Sequence, residues 1–584
     1  MSLAQPALVA GPGAGSLRSA GVSQRLLGLL LAAPATLWLL GAFAAPLLAV
    51  VLLALHEDAD PFGPLWQAPS AAQFLTIASD PFYLRLVGET LALGAGVTLL
   101  SALLGYPLAL WLTRLPARWR SLGFAVILIP LLTNVVVRSL GVVLLLAPDG
   151  LINQALGFVG LSPWRGMLYT HGAVAIALAQ VFMPFMVLSL YDVLQGASPR
   201  ILEAAESLGA SPMARLLLVT LPLSLPGLRA GIIIVFLMSS TAYVSATLLG
   251  GKKVLVVGMI VWQEALQNLN APLASALALV MTATSTLFAV GVYFIARRLT
   301  PWVTGRPTVA FAIPPTLLRA IDFIGPILGK LAVASALVLL LLPLVLVCIQ
   351  SFNDVPQATV AGFRAFTLKW YKQALLGGAY GASFLISAQL AFASALVAIA
   401  LALPAAFALA RYRFRGLGAL NAFWMLPLSL PHIAIGVGML RLLQVFVALP
   451  PFLGLMAVHV VLMLPFAISL LQASVEQLDR AQEEAAASLG AGPLNRLRLV
   501  TLPGLAPGLA ATCIMSFLLS FGEVTVTSFL TTARMTTLPV RIYSEASFSL
   551  EPTVHAVSAM LIAATVVVLL VLTRLVKLDR LYAR

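Results

Sequence analysis

Charge is scarce in this chain: only 9% of its 584 residues are Asp, Glu, Lys or Arg, whereas 61% are hydrophobic. The mean hydropathy is +1.03. Soluble domains carry about a quarter charged residues, so water is not the main solvent of this molecule. Cysteine is almost missing. Cys348 and Cys513 both fall in apolar runs and suggest neither a disulfide framework nor a thiolate metal site; core packing accounts for them. The five histidines (His56, His171, His432, His459 and His555) have no metal-ligand spacing and no neighbouring catalytic carboxylate. No enzyme activity and no cofactor are therefore expected. Neither the Gly-rich stretch at 11–16 nor the Gly250-Gly-Lys-Lys253 stretch meets the pattern G-x-x-x-x-G-K-[ST], so no ATP site is encoded. The period-2 alternation of a membrane β-barrel is missing too.

Long apolar runs are what the chain does have. About 20 apolar residues cross a bilayer as a helix, and only a helix satisfies the backbone of such a run internally. About twelve runs qualify, near 27–55, 84–112, 122–146, 167–191, 231–249, 273–296, 327–349, 384–409, 417–446, 452–471, 509–530 and 554–572. The fold class is thus all-α, a polytopic membrane protein. The formal net charge of +14 is spread between these runs rather than gathered on a polar domain, which argues against a nucleic-acid partner. With both termini cytoplasmic, and with Arg85, Lys330 and Arg441 near run ends counted on the nearer side, 23 of the 34 Lys and Arg fall on the cytoplasmic side, 10 on the outer side, and Arg138 inside a span. That asymmetry follows the positive-inside rule. Clusters such as Arg114/Arg118/Arg120, Arg297/Arg298/Arg306 and Arg411/Arg413/Arg415 sit at span ends, where they meet lipid head groups.

The chain also repeats itself. Residues 203–227 (EAAESLGASPMARLLLVTLPLSLPG) and 484–508 (EAAASLGAGPLNRLRLVTLPGLAPG) share 17 of 25 positions at an offset of 281. Pro184 and Pro465 keep that offset. Pro107 with Pro404, Arg114 with Arg411, and Pro130 with Pro427 pair at 297. The 16-residue difference falls around 151–166, in an expected external loop of the first half. Two homologous six-helix halves in one orientation result: a disordered cytoplasmic tail at 1–26, a first transmembrane domain at 27–300, a cytoplasmic linker at 301–326 and a second transmembrane domain at 327–584.

Each copy of the repeat lies between the fourth and fifth spans of its half. Helix-favouring Glu and Ala open it, Gly209 or Gly490 interrupts it, and Pro212 or Pro493 starts a second short helix. Pro222, Pro226, Pro503 and Pro507 punctuate the entry to the next span. Such a helix-turn-helix elbow suits docking on a soluble partner and passing rigid-body motion into the bundle.

Both copies fit the order E-A-A, three residues, Gly, nine residues, an aliphatic residue, any residue, Leu-Pro, with Val219 and Val500 at the aliphatic position. This resembles the signature of binding-protein-dependent ABC importer permeases. The words GYPLALWLTR, VRSLG, LSLYDVL and TLLGGKK make the first half similar to the first permease subunit of the spermidine/putrescine-type subfamily. SFND, FTLKWY, LARYRFRG, LPLSLPH, SFGEVTVTSFL and LPVRIYS make the second similar to its partner subunit. The resemblance implies a bacterial inner-membrane importer subunit working with two copies of an ABC ATP-binding subunit and a periplasmic solute-binding protein. It also implies that Glu203, Ala204, Ala205 and Gly209, with Glu484, Ala485, Ala486 and Gly490, couple to the ATPase. Aminoethylphosphonate, thiamine, ferric iron and opine-like amines are alternative substrates within the class. An ion-coupled secondary transporter, which also has two six-helix halves, is the alternative outside it.

Glu89, Arg138 and Glu523 are ionisable residues within or near spans, where charge is costly and faces protein or water. Glu523 and Glu89 are the candidates for a path taken by a cationic amine. Arg138 reads as a structural residue that snorkels toward the outer face. The stretch of the first half that corresponds to Glu523, SSTAYVS at 239–245, contains no acid.

Overall fold

The computed structural model describes residues 14–57, 69–196, 198–299, 315–358, 361–445, 449–549 and 551–575. Residues 1–13 of the expected tail and 301–314 of the expected linker lie outside them. Among the described residues the only strand-like pairings are isolated bridges, such as Asn353 with Phe366; the rest of the regular structure is helical. Eleven segments are long and apolar enough to cross a membrane, and a bent pair raises the number to twelve.

The first half contributes Arg25–Ala54, Pro81–Arg114, Val135–Phe158, His171–Gln195, Pro212–Ser240 and Ala271–Ile295. The second contributes Asp322–Gln350, Ala379–Arg411, the bent pair Leu417–Leu428 with His432–Gln444, Pro451–Gln477, Pro493–Gly522 and Thr553–Val571. We number the spans one to six within each half.

Three expectations change at element ends. A helix already begins at Ala14, inside the stretch read as a disordered tail, because each residue added to a nucleated helix gains a hydrogen bond. Another begins at Pro315, inside the expected linker, with proline at the first position, where its missing N–H is not needed. The fifth spans start at Pro212 and Pro493, well ahead of their apolar runs at 231 and 509. Pro222 and Pro503 do not stop them, because each follows a wider π-type turn, Leu216–Thr220 or Leu497–Thr501, where the usual i→i−4 ladder is already relaxed.

The third spans break at matching places, counting with Val135–Phe158 the helix that leads into it. In the first half a helix over Ala117–Leu132 ends at Thr133, and the extended residue Asn134 then caps Val135–Leu146 by accepting from the Val136 N–H at 2.7 Å. In the second half the break falls at Leu430 and Pro431, before His432, where proline cannot supply the helix donor.

The halves are joined reciprocally. A Cβ on Gly141, in the third span of the first half, would lie 2.2 Å from the Pro343 carbonyl oxygen in the first span of the second half. A Cβ on Gly438 would lie 2.3 Å from the Pro46 carbonyl oxygen, the mirror contact. Both partners are displaced by 297 positions, the offset of the repeat. Each first span therefore crosses to the opposite half, and glycine is what admits its backbone. Fully buried Trp424 adds a bond from Nε1 to Thr36 Oγ1 at 3.1 Å. At the end of the bundle away from the elbows, Asp149 of the first half accepts from the Ala361 and Gly362 N–H groups of the second, both at 3.1 Å.

Candidate functional site: two elbows and a cavity between the halves

The elbows have one geometry. Pro199–Ser207 is a helix that Gly209 ends with φ +80°, and Pro212–Arg215 is the second short helix. Arg480–Ser488, Gly490 with φ +84°, and Pro493–Arg496 repeat it. Gly209 N–H donates to Glu206 O at 2.9 Å and Ala210 N–H to Ala205 O at 3.0 Å; Gly490 with Ala487 and Ala491 with Ala486 do the same, each at 3.0 Å. This is the Schellman closure of a helix, which needs a left-handed residue at the glycine. It gives the motif a physical account: the second alanine supplies the accepting carbonyl and the glycine supplies the turn. Glu203, Ala204, Glu484 and Ala485 are exposed, and Ala205 and Ala486 half-buried. Leu208 and Leu489, just before the glycines, are each 88% exposed, so each elbow presents an uncovered leucine at the matching place.

The two elbows are braced differently. Asp322, on the first span of the second half, accepts from the Met213 N–H at 3.0 Å and so caps the first elbow from across the seam. Arg215 adds an ion pair to Glu206 at 2.6 Å. The second elbow is held within its own half, where Glu483 accepts from Thr501 Oγ1 at 2.8 Å and lies 3.5 Å from Arg411.

A cavity of about 220 Å³ lies where the halves meet. The breaks of both third spans and the far ends of both fifth spans line it, and its lining includes Arg138, His432, Glu523 and the phenol of Tyr243. Glu523 follows the fifth span of the second half. Its Oε1 accepts from the Val526 N–H at 2.9 Å, its Oε2 lies 3.9 Å from His432 Nδ1, and its side chain is 13% exposed. From the first half, Asn134 Nδ2 donates to the Gly522 carbonyl at 3.0 Å, and Tyr243 shares a hydrogen bond with Ser528. Behind this loop, fully buried His459 bonds to Ser520 Oγ at 2.7 Å and Thr527 Oγ1 at 3.0 Å.

Two residues singled out in the sequence sit differently in the structure. Glu89 does not line the cavity: it pairs with Arg85 at 2.7 Å, lies 3.8 Å from His171, and is 35% exposed. Arg138 does not snorkel. The break at Thr133 and Asn134 puts it in the first turn of the next helix, level with the cavity, where it is only 5% exposed. Tyr243, His432 and His459 are additional polar residues of this region. Their only sequence signal is a polar side chain inside or beside an apolar run.

Beyond the cavity, segment 538–549 is sewn to the second span of its half. Leu538 N–H donates to Ser387 Oγ and Arg541 Nε to Ser383 Oγ, both at 2.8 Å. Tyr380 donates to Glu545, and Arg541 lies 3.7 Å from it. Burial, with Glu551 nearby, pushes the Glu545 carboxyl up to about 7.

A helical bundle of two equivalent halves, with a cavity at the seam and two matched elbows at one end, is the build of a membrane transport domain. The sequence matches the family described as binding-protein-dependent transport system inner membrane component over residues 101–305 and 398–578, and the chain belongs to that family. It is 34% identical over 233 residues to the spermidine/putrescine transport system permease protein PotB of Haemophilus influenzae, which covers 40% of this chain and 81% of that protein. It is 29% identical over 231 residues to PotC of Escherichia coli, 40% and 87% of the two chains. A bacterial ABC transporter involved in alginate import matches with a TM-score of 0.41 at 19% identity, over 49% of this chain and 99% of that one.

Proposed function

We propose that this chain forms the membrane path of an ATP-driven bacterial importer for a small, amine-bearing solute of the polyamine kind. A periplasmic binding protein delivers the solute. Two copies of a separate ATP-binding subunit sit on the elbows, and both termini face the cytoplasm of the inner membrane. The observation that carries the reading is the pair of elbows, equal in sequence and in turn geometry, with an exposed leucine on each. The polyamine permease relatives and the acid at Glu523 support the solute class.

The geometry also supports a mechanism. Each fifth span is one helical segment of about thirty residues, from the elbow proline (Pro212 or Pro493) to the cavity (Ser240 or Gly522). At about 1.5 Å per residue such a rod is roughly 45 Å long. Moving an elbow therefore moves the residues at the far end: Tyr243 beyond one rod and Glu523 beyond the other. ATP binding draws the elbows together, and hydrolysis lets them part. The cavity between the halves opens alternately to the two sides, and the carboxylate of Glu523 attracts the solute's amine where water screens charge poorly.

Glu523→Gln keeps the side chain's shape and removes its charge. Uptake into vesicles should fall at least tenfold, with assembly and thermal stability unchanged. Normal uptake by a stable variant would take Glu523 out of the path. Reduced yield with normal uptake per molecule would make it a structural ion-pair partner instead.

A further inference from the structure

The cavity holds two opposite charges that do not pair with each other. Arg138 comes from the first half and Glu523 from the second. Among the described residues the Arg138 guanidinium donates from Nη1 to the Val181 carbonyl at 3.3 Å, and its buried Nε has no partner there. Among the described residues no carboxylate lies within ion-pair distance of it. A buried cation is retained when something neutralises it, and no described side chain does so here.

Two further features point to an anion at this wall. Guanidinium is a planar fork that matches an acid group with two parallel bonds. Arg138 also sits in the first turn of Val135–Leu146, whose positive end adds to the attraction. At the Glu523 wall the preference is reversed. The first half supplies no second acid, since its matching stretch reads SSTAYVS. With one arginine and one glutamate, and His432 beside that glutamate at 3.9 Å, the cavity has no surplus of acid and matches a solute of balanced charge better than a polycation. The volume agrees with a short molecule: about 220 Å³ is below the roughly 300–1,000 Å³ of pockets that hold drug-sized ligands.

We propose that the solute is zwitterionic, a short amine that also bears one acidic group, with the amine at Glu523 and the acid at Arg138. This rests on the reading of the cavity as an amine path, and it departs from the polyamine kind of solute by putting one acidic group in place of further amines.

The test uses the purified full chain in lipid nanodiscs and three four-carbon probes: 4-aminobutyrate, putrescine and succinate. The readout is the shift in unfolding temperature with probe concentration. The proposal expects 4-aminobutyrate to act at concentrations at least tenfold lower than either other probe. Arg138→Met should abolish that preference and leave the putrescine response equal or stronger. Should Arg138→Met fail to fold, Arg138→Lys keeps the charge without the fork, and the order of preference should survive with a weaker response. Putrescine outperforming 4-aminobutyrate in the native chain would overturn the zwitterion and leave the amine path standing. So would an unchanged preference in Arg138→Met. No response to either amine, or responses untouched by Glu523→Gln, would bring down the amine path itself.

Discussion

Replacing Gly209 and Gly490 together by proline attacks the elbows at their one conformational requirement. Both glycines have positive φ, +80° and +84°, and a Cβ at either would meet nothing within 4 Å. The cost of substitution is therefore backbone strain and not crowding. Alanine in the left-handed region costs about 1–2 kcal/mol, a factor of roughly 5–30 in an elbow's population. Proline cannot reach positive φ, being fixed near −65°. It also removes the N–H that bonds Glu206 O at 2.9 Å or Ala487 O at 3.0 Å, worth about 1 kcal/mol more. The elbows are exposed and stand outside the buried core, so the bundle should still fold. In vesicles carrying the assembled transporter, the double alanine variant should take up solute several-fold more slowly. The double proline variant should hydrolyse ATP without uptake. Gly492→Ser is the control: Gly492 has φ −64°, is exposed, and aligns with Ser211 of the other elbow, so uptake should be unchanged. Undiminished uptake in the double proline variant would refute the reasoning.

Four other outcomes are expected. Gly141→Ala or Gly438→Ala drives a methyl against a carbonyl oxygen of the opposite half and should cost about 1–3 kcal/mol, read as a lower unfolding temperature; an unchanged temperature would contradict the seam. Asp322→Ala removes the cap on Met213, worth about 1 kcal/mol, and should speed proteolysis at the first elbow while sparing the second; equal cleavage would deny the cross-seam brace. For Glu545 the folded pKa, about 7, lies above the ordinary value near 4.5, so the folded chain holds this proton more tightly. Stability should fall as pH rises from about 5 through 7, and Glu545→Gln should flatten that fall; an identical pH profile would exclude Glu545 as its source. Tags after Arg298 and at Arg584 should be protected in intact cells and one near Ala358 accessible; access at Arg298 from outside would overturn the orientation.

Apolar length revealed the helical class and the number of spans, since a membrane leaves few ways to satisfy a backbone, and the internal repeat revealed the halves. The elbows were legible because Glu, Ala, Gly and Pro act locally: the glycine's turn depends on its own neighbours. The cavity was not. Arg138 and His432 reach the space that Glu523 faces because the third spans break at Asn134 and Pro431, and composition does not mark a break inside an apolar run. Arg138 looked like a snorkelling residue by its position along the run, whereas the break sets its depth. Glu89 looked equivalent to Glu523 until Arg85, one turn away, proved to be its partner.

The crossing of the first spans bears on how such a chain arises. Neither half keeps its first span to itself: Pro46 lies on Gly438 and Pro343 on Gly141. Two separate six-helix subunits would have to exchange these helices to cover their own backbones, so partnership is a condition of folding and not a later addition. Joining them end to end supplies only local concentration and a fixed one-to-one ratio. A gene cut between codons 301 and 314 should therefore yield two polypeptides that assemble when made together, and either one made alone should be degraded.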